Sequence, residues 1–420
     1  MKTRISFVII SLVLVCSMAV NLTGCTNKET EKKSLMKGIK SNPVAALEVP
    51  SSQNEKLTDF AVRLFQTSED SGNNTLISPL SVLSALAMTA NGAEEETLSQ
   101  MEEVLGMNTR ELNLYLYSYM QNLLLDEENK LSLANSIWFT DDEQFTVNQD
   151  FLQTNADYYG ADIYQVPFDN QTLKDINKWV KQSTDGMIPK ILDQIPEEAI
   201  MYLVNALAFE AEWMKIYESY QVDEDVFTKE DGSTQNVEFM YGTEYDYFED
   251  ENAIGFMKEY KGGHYAFVAL LPKEGVSVSE YVASLNGVSL NKLLSNPQDE
   301  IVYTAIPKFE TEFTVEMADI LKTMGMTDAF DVYKADFESL GTMPERNIYI
   351  SQVLHKTFIS VGEKGTKAGA ATIVEMAAGS TAPGKPIEPK KVYLDRPFVY
   401  MLIDCENKIP FFIGTMMDVN

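Results

Sequence analysis

Asn74-Thr75-Leu76-Ile77-Ser78-Pro79-Leu80-Ser81, with the run through Val82, Leu83, Leu86 and Met88 behind it, is the stretch on which the fold turns. Ser78 is a good helix cap, and Pro79 suits a first helical turn, where no backbone amide is needed. The helix predicted from there to about Gly92 is apolar on nearly every face. A helix of that kind is buried on all sides rather than laid on a surface.

Outward from it, the remaining pattern is mixed. Leu57, Phe60, Ala61, Leu64 and Phe65 repeat at helical spacing, and helices are expected over 94–105, 109–125, 148–159, 173–184 and 315–324. Strands are expected over 131–139, 201–209, 265–271, 348–361, 398–404 and 411–417, with Asp231-Gly232 as a hairpin turn. Helices dominate the first half and strands the second, without strict alternation. That order indicates an α+β chain with large, mostly antiparallel sheets. The 420 residues, 45% of them hydrophobic, suffice for a single large core. No internal repeat or second linker divides the chain.

Residues 1–24 read as an export signal. Lys2 and Arg4 precede an apolar run from Ile5 to Val20, and Leu22-Thr23-Gly24-Cys25 resembles a bacterial lipobox, which makes Cys25 the expected lipid anchor. The apolar run is short for a bilayer span. Residues 25–55 are polar and read as a flexible lipid-anchored tether, with one domain over 56–420. The expected location is the outer side of the bacterial membrane or the secreted fraction, with contact to lipid only through the anchor.

The formal charge of -30, from 33 Lys+Arg against 63 Asp+Glu, disfavours nucleic acid and heparin-like polysaccharide as partners. Only two histidines, His264 and His355, are present, so a histidine-based triad or a zinc site starts poorly supplied. Cys405 is the one cysteine beyond the leader, which leaves no internal disulfide. No metal, no cofactor and no catalytic residue is expected.

Several blocks, in order along residues 57–418, resemble the serpin family. The first is the quoted stretch itself, followed by Ile176-Asn177-Lys178-Trp179-Val180 with Thr184-Asp185-Gly186-Met187-Ile188. Val204-Asn205-Ala206-Leu207-Ala208-Phe209 comes next, with Trp213 behind it. Ile306-Pro307-Lys308-Phe309, Asp336-Phe337, His355-Lys356-Thr357-Phe358, Glu363-Lys364-Gly365-Thr366 and Arg396-Pro397-Phe398 complete the set. The resemblance implies a serpin fold of three sheets and about nine helices with an exposed reactive-centre loop over about 363–396. It also implies a monomer that traps serine proteases. The protease cuts the loop and forms an acyl-enzyme, and the loop then enters the main sheet as an extra strand. In the family, polar residues matching Ser78, Ser81, Asn205 and His355 lie beneath that sheet and act in opening it.

The loop can be read for insertion on its own residues. Gly365-Thr366-Lys367-Ala368-Gly369-Ala370-Ala371-Thr372 is small apart from Lys367, and no proline occurs before Pro383. Strand parity puts Thr366, Ala368, Ala370, Thr372, Val374, Met376 and Ala378 on one face, and both charges, Lys367 and Glu375, on the other. One face is therefore free of charge, as a core-facing strand requires. The hinge is read as Glu363, Gly365, Thr366, Ala368, Ala370 and Thr372. Counted from Glu363, the loop length that the family keeps places the cut at Gly379–Ser380, with bonds at Ala377 or Ala378 as alternatives. Small uncharged residues there suit elastase-like or subtilisin-like proteases with shallow apolar primary pockets. The connection from Gly379 to Arg396 is longer than the family's, and it carries Pro383, Pro386 and Pro389. The competing readings are a non-inhibitory serpin used as a binding or carrier protein, and an acyl-transfer hydrolase built on His355.

Overall fold

The computed structural model describes residues 33–47, 50–123, 129–195, 199–366 and 388–419. Pro79–Ala90 is the helix expected from the opening stretch, and all twelve of its residues are buried. The Ser78 hydroxyl accepts from the Ser81 amide at 3.3 Å and caps it. The helix lies between the two large sheets. It packs against the strands Met201–Glu212 and Lys130–Thr140 of one and Ile409–Met416 of the other.

Among the described residues the main sheet has seven strands, in the order Lys33–Ser34, Asp162–Val166, Lys130–Thr140, Met201–Glu212, Gly365–Thr366, Gln352–Gly362, Phe309–Glu316. A nine-stranded sheet runs from Lys390–Tyr393 at one edge to Thr75–Ile77 at the other, and Gly341–Thr342 pairs with Thr146–Val147 in a third, small sheet. Most pairings are antiparallel. The parallel ones join Lys130–Thr140 to Asp162–Val166, Met201–Glu212 to Gln352–Gly362, and Gln298–Pro307 to Lys390–Tyr393. The α+β class and the three sheets expected from the sequence are present, together with nine α-helices among the described residues.

Several boundaries differ from the sequence reading. Val315, expected in a helix, closes the strand Phe309–Glu316, and the helix is Ala318–Met324. The alternation Phe309, Thr311, Phe313, Val315 has period two, and cross-strand pairing to Gln352–Gly362 satisfies it. The strand expected from 348 begins at Gln352. Within the stretch expected as a tether, Lys33 and Ser34 pair with Gln165 and Tyr164. Leu35, Met36 and Ile39 pack on the core, and Asp157 accepts from the Asn42 amide at 2.7 Å. The chain is therefore ordered against the body well before residue 56. At its far end the expected loop gives way to the strand Lys390–Tyr393 before Arg396 is reached.

Candidate functional site

The central strand Met201–Glu212 meets Gln352–Gly362 in two different ways along its length. From Tyr202 to Ala206 it pairs in parallel with Gln352 to Lys356. At its other end, Ala211 and Glu212 pair instead with Thr366 and Gly365, which pair on their far side with Val361 and Gly362. Residues 207–210 and 357–360 are not paired with each other among the described residues. The sheet is thus closed at one end and wedged at the other by the start of the loop.

That start is held tightly. The Trp213 amide donates to the Lys364 carbonyl at 2.8 Å, the Tyr217 amide to Glu363 O at 2.8 Å, and the Trp213 indole Nε1 to Gly362 O at 2.8 Å. Glu363 accepts an ion pair from Lys308 at 2.8 Å, and Lys308 also reaches Glu238 at 2.9 Å. The Lys308 hydrogen bond holds the Glu363 carboxyl below its usual range. Thr366 is buried, and its hydroxyl is hydrogen-bonded to the Tyr260 hydroxyl. Gly365 has φ +153°, and a Cβ there would lie 2.0 Å from the Ala211 carbonyl oxygen, so no other residue fits between the two strands.

At the closed end lies the polar cluster. The Ser78 amide donates to His355 Nε2 at 3.0 Å, which makes that nitrogen the acceptor and places the ring proton on Nδ1. Nδ1 then donates to Asn205 Oδ1 at 2.8 Å, and the same oxygen accepts from the Ser81 hydroxyl at 2.8 Å. Burial pushes the His355 pKa down to about 3, so the ring is neutral. Asn205 Nδ2 is buried without a hydrogen-bond partner among the described residues. Ser78, Ser81, Asn205 and His355, drawn from three separate parts of the sequence, are brought into one network. Both ring nitrogens are committed within it, and neither is bonded to a serine hydroxyl.

Glu363, Gly365 and Thr366 sit at the wedge. Ala368, Ala370 and Thr372, the bond candidates Gly379 and Ser380 with Ala377 and Ala378, and Cys25 lie outside the described residues. His264 occupies an exposed turn between Ala253–Glu259 and Tyr265–Pro272. Burial raises the Cys405 thiol to about 12, which keeps it protonated. Among the described residues no cluster of three or more His, Cys, Asp or Glu side chains is placed to hold a metal ion.

The sequence reading missed Tyr217, Tyr260, Glu244 and Lys258. Phe256, Lys258 and Tyr260 fall on one strand face, and the burial of the outer two marks the lysine as inward-facing. That parity was the available signal.

Comparison with known proteins agrees with this geometry. The description "Serpin (serine protease inhibitor)" matches residues 55–419. An uncharacterized serpin-like protein of Thermococcus kodakarensis is 30% identical over 86% of this chain and 84% of its own length. A leukocyte elastase inhibitor of Equus caballus is 29% identical over 82% of this chain and 93% of its own. The crystal structure of the thermophilic serpin tengpin in the native state is 49% identical, covers 92% of this chain and 100% of that one, and superposes with a TM-score of 0.87. Sequence, architecture and relatives together place this chain in the serpin family.

Proposed function

We propose that the protein inhibits serine proteases as a suicide substrate, and the wedge at Gly365–Thr366 is the observation that carries this reading. The attacking serine oxygen bonds to the carbonyl carbon of Gly379, the peptide bond to Ser380 breaks, and Ser380 leaves as a free amine. The remaining ester ties the protease to the upstream loop, which is free to enter the sheet.

The register at the wedge supports that entry. Thr366 lies between Ala211 and Val361. Each further residue in the same antiparallel register moves one position down both neighbours. Ala368 then falls between Phe209 and Ile359, Ala370 between Leu207 and Thr357, and Thr372 between Asn205 and His355. All six neighbours are buried. Lys367, on the other face, falls between Glu210 and Ser360, both only partly buried. The uncharged parity face therefore coincides with the face that must meet the core, and Thr372 arrives where Asn205 Nδ2 lacks a partner. Each backbone hydrogen bond gained contributes about 1 kcal/mol net, so a full strand offers a driving force on the order of 10 kcal/mol.

The deciding experiment incubates the full chain with elastase, subtilisin and trypsin, followed by denaturing gels and mass spectrometry of the released C-terminal fragment. A denaturant-stable complex with elastase or subtilisin, and a fragment beginning at Ser380 or within two residues before it, is the expected result. Rapid clipping with no complex would instead support a carrier role.

The same reading places the protein outside the cell, held by a lipid on Cys25, where a protease can reach the loop. Alkyne-palmitate labelling of expressing cells is expected to tag the native chain, and Cys25→Ala to abolish the tag and release the protein to the medium. An unlabelled native chain would mean a plain secretory signal.

A further inference from the structure

The strand Ala253–Glu259 carries a lysine where its face is otherwise apolar. Lys258 has only 3% of its side chain exposed, and it lies between Phe256 and Tyr260 in strand parity, both fully buried. Its ammonium donates to Glu244 Oε1 at 2.8 Å and to the Lys215 carbonyl at 3.1 Å. It also stands 4.5 Å from the ring centre of Tyr217 and 5.4 Å from that of Trp213. Desolvating both ends of such a pair is costly: burial pulls the Lys258 pKa down and raises that of Glu244. An aliphatic pair would fill the same space more cheaply, so packing alone does not explain the charges.

Their neighbours do. Tyr217 and Trp213 are the residues whose amides and indole hold the carbonyls of Gly362, Glu363 and Lys364. The segment that carries them leaves the main sheet at Glu212 and crosses to the second sheet. It is fixed there by a bridge between Trp213 and Tyr260, by the Met214 amide on Glu259 O at 3.0 Å, and by ring stacking of Trp213 on Tyr260 at 4.4 Å. Lys258 touches both rings and the backbone between them. A desolvated ammonium over two aromatic faces resists sliding of either ring, because displacement costs both the cation–π attraction and the ion pair behind it.

We propose that Lys258, seated by Glu244, is a positioning residue for the loop hinge: it fixes Trp213 and Tyr217 so that Gly365 and Thr366 stay paired and can nucleate strand entry. The consequence for trapping rests on the inhibitory reading above; the positioning itself does not. A loosened hinge slows the first step of insertion while the bond that the protease cuts keeps its own sequence and its own rate of attack. More acyl-enzyme then hydrolyses before the protease is carried away.

Lys258→Met alone strands the Glu244 carboxylate and risks misfolding, so the test uses Lys258→Met/Glu244→Leu, which keeps the volume and removes both charges. Hydrogen exchange followed by mass spectrometry is expected to show the Trp213 and Tyr217 amides opening about tenfold faster than in the wild type, with the Leu83 and Met401 amides unchanged. Against elastase or subtilisin the number of inhibitors consumed per protease trapped is expected to rise several-fold at an unchanged rate of loop attack. Exchange at Trp213 and Tyr217 that matches the wild type, or that rises equally throughout the core, overturns the proposal. If the wild type traps no protease, the inhibitory reading fails, and the exchange comparison still decides the role of Lys258.

Discussion

On the proposed inhibitory mechanism, Ala368→Arg is expected to turn a trap into a substrate. The antiparallel register that seats Thr366 between Ala211 and Val361 carries Ala368 to a position between Phe209 and Ile359, which are 3% and 2% exposed. A guanidinium delivered there would meet Leu131 and Thr311 beyond its two neighbours and no carboxylate among the described residues of that face, and an unpaired buried charge costs about 3–5 kcal/mol. The penalty falls two residues past the wedge, before the inserting strand has gained more than a few hydrogen bonds to offset it. Insertion stalls, and water hydrolyses the acyl-enzyme. Denaturing gels should show cleavage at the same bond with no stable complex, and the clipped variant should lack the rise in Tm that an added central strand gives. Lys367→Ala is the matching control. Its position falls between Glu210 and Ser360 on the half-exposed face, and it should trap protease as the wild type does. Equal complex yields from Ala368→Arg and wild type would rule out insertion in this register.

How much of this was legible beforehand depends on the range over which each signal acts. The buried helix Pro79–Ala90 could be read from its own residues, because a cap, a first-turn proline and all-round apolarity are local properties. The loop's uncharged face was readable for the same reason, since parity needs no partner. Ser78, Ser81, Asn205 and His355 could be assigned to one cluster only through family resemblance, since no spacing rule joins residues so far apart in sequence. Where a partner decided the outcome, the reading slipped. Val315 has apolar neighbours that suit either period, and the pairing of Phe309–Glu316 with Gln352–Gly362 made it a strand residue. Lys33–Ser34 is polar and short, and only the open edge of Asp162–Val166 gives it a place. Lys258 went unread because Glu244, the carboxylate that gives it a place in the core, comes from a neighbouring strand.

The polar cluster should make the native state sensitive to acid in a way that one substitution removes. His355 is neutral because its ring is buried and because Nε2 accepts from the Ser78 amide, so protonation would both charge the site and break that bond. In the unfolded chain an ordinary histidine takes up a proton near pH 6.5, whereas here the pKa is held at about 3. The unfolded state therefore binds more protons than the native state between those values, and acid pulls the equilibrium toward unfolding. The stabilisation linked to the neutral ring is whole above pH 6.5. It is lost at about 1.4 kcal/mol per pH unit as the pH falls toward 3. Between pH 7 and pH 4.5 this amounts to about 2–3 kcal/mol. Many carboxylates also respond to acid, so the wild-type curve alone cannot isolate the ring. His355→Gln keeps a polar side chain at the position and removes the titration. Urea unfolding of the uncleaved native form should find the variant less stable than wild type at pH 7, with the gap narrowed by about 2–3 kcal/mol at pH 4.5. A gap that does not change with pH would mean that His355 titrates near its ordinary value, with the sheet open enough to hydrate it. A sheet that opens as this ring is protonated also admits the loop more readily, so spontaneous loss of trapping capacity should accelerate over the same pH interval in the wild type and not in the variant.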